Sequence, residues 1–175
     1  LPETRYPATK AGSANDKTTL FDASRWAQEQ FHQCLLHSAE GKVALEYLLG
    51  RGITQASIER FGLGFAPNRH HWLVDRAKTS SFSEPVMATI GVFGQAQSGR
   101  SYDFFRGRLM FPIRDAQQRT IAFGGRILPE FDDGNTGKYI NSRETRLFSK
   151  SEHFYGLDLA LDDLTKRRQL TVMEG

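Results

Sequence analysis

Apolar positions in the first third of the chain recur at the spacing of amphipathic helices. Between residues 22 and 38, Trp26, Ala27, Phe31, Cys34 and Leu35 fall on one helical face, with Asp22 placed as the N-cap and Gly41 as the stop. Val43, Ala44, Tyr47 and Leu48 predict a second helix closed by Gly50 and Gly52. Thr54 caps a short third one that carries Ile58 and Phe61 and ends at Gly62 and Gly64. From 71 to 89 the pattern weakens and predicts two short helices separated by the serine-rich turn at 80–83. After Gly94 the period changes. Apolar runs at 109–113 and 120–123 flank a polar turn, Asp115-Ala116-Gln117-Gln118, which is the form of a β-hairpin. Pro112 predicts an edge or kinked strand, and Gly124 with Gly125 a bulge or a close backbone approach. A short strand at 138–141, a helix at 158–166 bearing Leu159, Leu161 and Leu164, and an apolar strand at 170–173 complete the pattern.

These elements predict an α+β fold: N-terminal helical hairpins packed on a small, mainly antiparallel sheet. Residues 1–19 are Thr- and Pro-containing with almost no apolar content and are assigned as a linker, with one compact unit over 20–168. The chain opens on Leu1 rather than Met and stops at Gly175 just after an apolar run, so both ends are taken as cut from something longer. Hydrophobic residues make up 39% and charged residues 25% of the 175 residues, which suits a globular domain rather than a disordered one. No apolar run approaches bilayer length. Cys34 stands alone, so this chain holds neither an internal disulfide nor a cysteine-based zinc site, and a reducing, cytoplasmic setting is expected.

The net charge of +3 is too small to name a partner, but its distribution is uneven. Residues 99–126 carry six arginines against two aspartates, and residues 138–150 four cations against Glu144. Arg106 and Arg108 lie two apart, on one face of an extended segment, and Arg114 joins them if register is kept. Two readings stand side by side: a phosphate-binding strip, or a solvated face ion-paired with Asp103 or Asp115. Lys138-Tyr139-Ile140-Asn141-Ser142 combines a cation, an aromatic face and an amide, as single-strand binders do, although Tyr139 taken alone reads more simply as a core residue. The adjacent His70 and His71 diverge in any regular element and make a poor metal pair. Cys34 on an apolar helix face reads as core. Glu174, after an apolar strand, reads locally as an ordinary strand-end acid.

Together these segments resemble a family. Arg100-Ser101-Tyr102-Asp103 followed by the run from Phe105-Arg106-Gly107-Arg108 to Pro112-Ile113-Arg114-Asp115 is similar to the catalytic core of bacterial DnaG-type DNA primases. Ala122-Phe123-Gly124-Gly125-Arg126, Lys138-Tyr139-Ile140-Asn141-Ser142, Glu144-Thr145, Phe148-Ser149-Lys150 and Phe154-Tyr155-Gly156-Leu157 follow in the family's order. Upstream, the segments around Tyr47-Leu48-Leu49-Gly50-Arg51-Gly52 and Phe61-Gly62-Leu63-Gly64-Phe65-Ala66-Pro67 also match, so the resemblance covers about residues 20–175.

The resemblance implies an N-terminal catalytic-core subdomain that guides single-stranded DNA template, running at 169–175 into the first strand of a TOPRIM domain. Glu174 then becomes the catalytic, metal-binding glutamate for Mg²⁺ or Mn²⁺, in a site that needs further acids beyond Gly175. Arg126, Lys138, Tyr139, Asn141 and Lys150 line the groove for template or incoming nucleotide, with Arg51, Arg106 and Arg108 flanking it. The implied partners are single-stranded DNA, an RNA primer and ribonucleoside triphosphates. Zinc belongs to an upstream module of the intact protein, and a replicative helicase to a C-terminal region. The implied place is the replication fork. Two departures stand out: Phe104 where an arginine is common, and Arg143 where a proline is common. The acidic stretch Glu130-Phe131-Asp132-Asp133 is taken as a solvent loop. The competing readings are a non-catalytic single-strand-binding module, which keeps the basic groove without the acids, and a TOPRIM nuclease or topoisomerase, which lacks the ordered motifs between Arg100 and Leu157. Because the acid set is incomplete, residues 1–175 alone are expected to make no primer. Mg²⁺-dependent RNA synthesis on single-stranded template checks this, and any product refutes it.

Overall fold

The structure, a computed structural model, describes residues 10–153 and 155–168. Residues 1–9, the strand expected at 170–173 and Glu174 lie outside the described residues.

Helix α1 (Lys17–His37) buries Ala27, Phe31, Cys34 and Leu35 of the expected stripe, leaves Trp26 half-buried, and adds Leu20 and Ala23. It starts earlier than its predicted cap. Asp16, not Asp22, is the N-cap and accepts from the Thr18 amide, because Leu20 already belongs to the buried stripe and needs a helical turn before it. Asp22 instead faces Arg25 one turn on, 3.2 Å away. The assigned linker is therefore shortened, and at Gly12 the backbone amide turns back to Asp16 and Thr19. Helix α2 (Lys42–Gly50) follows through Gly41, where a Cβ would fall on the Cys34 carbonyl, so glycine permits the tight α1–α2 hairpin. Thr54 caps α3 (Gln55–Phe61) as expected. The weak pattern at 71–89 resolves into α4 (Trp72–Ala77) and α5 (Glu84–Thr89).

The sheet has more strands than the hairpin alone. β1 (Gly64–Ala66), β4 (Arg108–Arg114), β5 (Thr120–Ile127) and β6 (Tyr139–Asn141) form one antiparallel sheet in the order β1-β4-β5-β6. β2 (Phe93–Gln95) and β3 (Ser101–Asp103) form a separate hairpin. A 3-10 turn at Pro129–Phe131 precedes β6, and α6 (Leu157–Arg167) closes the described chain. Pro112 sits in a central strand, not at an edge. β1 pairs only with Arg108, Leu109 and Met110, so the missing Pro112 amide forfeits no bond on that side. The register shift lies between Ile113 and Arg114, not at the glycines. Gly125 serves the other predicted purpose, because a Cβ there would stand 2.8 Å from the Phe105 ring.

The core is aromatic where α1 meets the sheet: Phe31 packs edge-on to Phe123 at 5.6 Å and stacks on Trp72 at 6.0 Å. Cys34 is buried in it, and burial pushes its thiol above the ordinary pKa. Asp103 does not form the ion pair weighed for it. Its carboxylate caps α4 from β3, accepting from the Leu73 amide at 2.7 Å and the Val74 amide at 3.0 Å. Burial pushes its pKa up to about 6, against the opposing pull of those two amides.

Asp103→Ala leaves two buried helix-terminal amides without a partner and is expected to cost about 2–3 kcal/mol in urea unfolding. Because the folded pKa lies above the unfolded one, the contribution linked to this proton is fully present below about pH 4 and lost as pH rises through about 6. In Asp103→Asn, which does not titrate, that part of the pH dependence of unfolding disappears.

Candidate nucleic-acid interface

Direct cross-strand partners share a face of a sheet, so register decides which candidate side chains meet. Phe65, Leu109, Arg126 and Tyr139 form one row across all four strands. Two residues along, Phe111, Gly124 and Asn141 form the next row on the same face. The intervening row, Gly64, Met110, Gly125 and Ile140, points the other way.

Arg126 stands between two aromatic rings, with its Cζ 5.3 Å from the Tyr47 centroid and 5.5 Å from that of Tyr139. Arg51 lies 5.9 Å from the Tyr47 ring, so α2 and the sheet together stack the order Arg51, Tyr47, Arg126, Tyr139. Such contacts hold a guanidinium plane in place without neutralising it. Tyr139 is 64% exposed, which places it on the surface and not in the core. Beside it opens a groove of about 490 Å³ lined by Phe111, Gly124, Tyr139, Asn141, Lys150 and His153, among others. His153 Nδ1 donates to the Ser149 carbonyl at 2.9 Å.

Arg106 and Arg108 are not in this groove. They line a second cavity of about 530 Å³ with Asn68, Tyr102, Phe104 and Asp133, and the two cavities share no lining residue. The strip of three arginines does not form either. Arg106 lies 2.7 Å from His70 Nδ1, and Arg114 is drawn to the buried Asp158 at 3.7 Å. Arg108 is 3% exposed and donates to the Gly125 and Lys138 carbonyls at 3.3 and 3.4 Å. Burial pulls the Arg108 pKa below its ordinary value, with Asp132 opposing and Arg106 adding to the shift. Asp115 pairs with Arg119 at 2.7 Å, within its own turn. In the acidic stretch Glu130, Asp132 and Asp133 are exposed, as a solvent loop requires, but Phe131 turns inward onto Phe65.

Lys138 is exposed at the start of edge strand β6, and its carbonyl accepts from the Ile127 amide at 2.9 Å. The other end of β6 is fixed by Ser142, which is fully buried. Its amide donates to the Phe123 carbonyl at 2.8 Å, and its hydroxyl accepts from the Phe123 amide at 3.0 Å. Tyr47, Phe111 and His153 were not among the sequence candidates. For Tyr47 a signal existed, since it precedes Arg51 by one helical turn. Among the described residues, no group of three His, Cys, Asp or Glu side chains gathers to hold a metal ion, and no helix is long and apolar enough to cross a membrane.

Known proteins share this fold. The sequence model of the family described as DNA primase catalytic core, N-terminal domain, matches residues 31–161. A DNA primase of Enterococcus faecalis is 39% identical over 161 residues, covering 91% of this chain and 26% of that protein. The chain spans about a quarter of the length of the curated relatives it matches. The RNA polymerase domain of the Mycobacterium tuberculosis primase DnaG, solved in complex with a double-stranded DNA oligomer with a 6-nucleotide overhang, superposes with a TM-score of 0.84 at 34% identity. That match covers 91% of this chain and 49% of that one. A DnaG primase catalytic domain bound to single-stranded DNA gives a TM-score of 0.75 at 35% identity, over 87% of this chain and 46% of that one.

Ser142→Ala is expected to lower stability by about 1–3 kcal/mol, since the Phe123 amide is left buried without an acceptor. Thermal unfolding measures it, and a change within error would mean that β6 does not depend on this residue.

Proposed function

The chain belongs to the bacterial DnaG-type DNA primases, as the N-terminal domain of their catalytic core, and on that premise we propose that it guides single-stranded DNA template and nucleotide in an enzyme that makes short RNA primers at the replication fork. The observation that carries this reading is a set of cations left without carboxylate partners. Among the described residues Arg51, Arg126, Lys138 and Lys150 form no ion pair; Arg60, Arg100 and others form none either, and what sets these four apart is their gathering around Tyr47, Tyr139 and the groove. Unpaired cations beside an open groove repel one another, and a polyanion relieves that repulsion.

Each side chain then has a distinct part. Arg126, whose Cζ lies 5.3 Å from the Tyr47 centroid and 5.5 Å from that of Tyr139, meets phosphate through its guanidinium donors. Lys150 adds a point charge on the groove wall and Lys138 another at the sheet edge. Tyr139 offers an exposed ring for base stacking, and Asn141 a donor and an acceptor next to it. Arg106, with Asn68 and Tyr102, serves the second cavity, into which the template strand continues past β6 from the groove. Arg108 acts from within, by fixing the backbone carbonyls of Gly125 and Lys138. Divalent metal enters through acids outside the described residues, Glu174 first among them. Zinc and the replicative helicase are met by other parts of the whole protein.

Fluorescence anisotropy of the chain with labelled single-stranded DNA over a salt series tests this reading. Arg126→Ala and Lys138→Ala are each expected to weaken binding and to make the salt dependence shallower, by about 0.7 in log–log slope for each phosphate that the side chain had neutralised. Tyr139→Ala is expected to change base preference more than slope. Binding indifferent to all three substitutions would remove the groove from the function.

A further inference from the structure

Arg143 occupies a place that the groove described above does not use. Its Cζ lies 5.5 Å from the centroid of Phe104, and Phe104 is itself braced edge-on by Phe105 at 5.0 Å. Phe104 is a wall common to two cavities: the Arg106 cavity of about 530 Å³ and a neighbour of about 430 Å³ that also contains Arg143 and Arg146. Arg143 and Phe93 in turn border a third cavity of about 470 Å³ along the β2–β3 hairpin. The three lie next to one another around Phe104, Phe93 and Arg143, and the cationic side chains that line them are Arg106, the buried Arg108, Arg143 and Arg146.

The acids that line these cavities are Asp133, Glu84 and Glu144, and each accepts a hydrogen bond from a neutral neighbour, Asp133 from the Asn135 amide at 2.9 Å. Glu144 accepts from the Lys150 amide at 3.4 Å, and Glu84 accepts from the Ser101 hydroxyl at 2.7 Å. Among the described residues no carboxylate lies within ion-pair distance of Arg143, which is exposed. Arg146 is partly committed, with its Nη1 2.6 Å from Asn15 Oδ1. The backbone at Arg143 is anchored by its neighbour Ser142, bonded to Phe123 through both amide and hydroxyl. The guanidinium thus sits over an aromatic ring next to an anchored backbone position, and its donors have no protein partner among the described residues. That is an arrangement for a phosphate oxygen.

We propose that Arg143, seated on Phe104, is a further contact for single-stranded DNA, carrying the strand out of the Arg106 cavity and along the β2–β3 hairpin. This rests on the template reading of the Arg106 cavity and extends it to residues outside the primary groove. The contact needs a flat cation on a flat ring, so it depends on guanidinium shape as well as charge.

The test is anisotropy of the chain with two thymidine oligonucleotides, one short enough to fill the Arg106 cavity alone and one long enough to reach beyond it. Arg143→Ala is expected to weaken binding of the long oligonucleotide about fivefold, with a salt slope shallower by about 0.7, and to leave the short one unchanged. Phe104→Leu, which keeps apolar bulk but removes the ring, is expected to weaken the long oligonucleotide more than the short one, whose cavity Phe104 also lines, and so to reproduce the added part of that loss. Arg143→Lys recovers less than half of it. Equal weakening for both lengths, unchanged binding of the long one, or full recovery in Arg143→Lys overturns the proposal. If Arg126→Ala weakens binding while Arg143→Ala is silent, this extension fails and the groove reading stands. Failure of the unsubstituted chain to bind either oligonucleotide overturns both.

Discussion

The candidate interface depends on holding a three-residue strand in register. β6 contributes only Tyr139, Ile140 and Asn141 to the ladder, too few backbone bonds to fix an edge strand unaided. Its entry is fixed by the Lys138 carbonyl, shared between the Ile127 amide and the Arg108 guanidinium, and its exit by the two bonds between Ser142 and Phe123. Those anchors set the rows, and the rows set which side chains share the groove. Burial of a guanidinium beside Gly125 is tolerated because its donors find carbonyls, and because a residue without a Cβ leaves it room. A cation that the sequence offers as a ligand contact thus becomes part of the frame.

The helical half serves the same end. α1 lies against the sheet through Phe31, and Gly41 turns the chain so tightly that α2 returns alongside it. That return brings Tyr47 to Arg126 across two elements far apart in sequence. The hairpin of β2 and β3 is tied in by Asp103, which joins it to the start of α4. A short helix with no capping side chain of its own obtains one from a strand roughly thirty residues later.

Local pattern carried much of this. The apolar stripe of α1, the Thr54 cap, the β4–β5 hairpin and the β6 segment were legible because each has a periodic or turn-specific signature within a few residues. What stayed hidden depends on pairing at a distance. β1 has three residues and no alternation of its own, so only its partner β4 makes it a strand. Pro112 looked like an edge marker because the extent of β1 cannot be read from β4. The Asp22 cap was displaced because Asp16, one turn and a half earlier, competes for the same role. Among the site residues, charge type was legible and destination was not. Arg106, Arg108 and Arg114 are equivalent by spacing, yet they end at a histidine ring, at two carbonyls and at a buried aspartate. Tyr139 was misplaced toward the core by its chemistry alone, since exposure at a sheet edge has no local signal.

The register shift between Ile113 and Arg114 bears on how such a domain can diverge. Upstream of it every residue of β4 is committed to a face by parity, so a single inserted or deleted codon there would exchange the groove wall for the core in one step. Downstream, the bulge and the turn at 115–119 absorb length. Lineages descending from this fold are therefore free to drift by substitution along β4 and by indels beyond it, and alignments of them should keep β4 ungapped even where its residues differ.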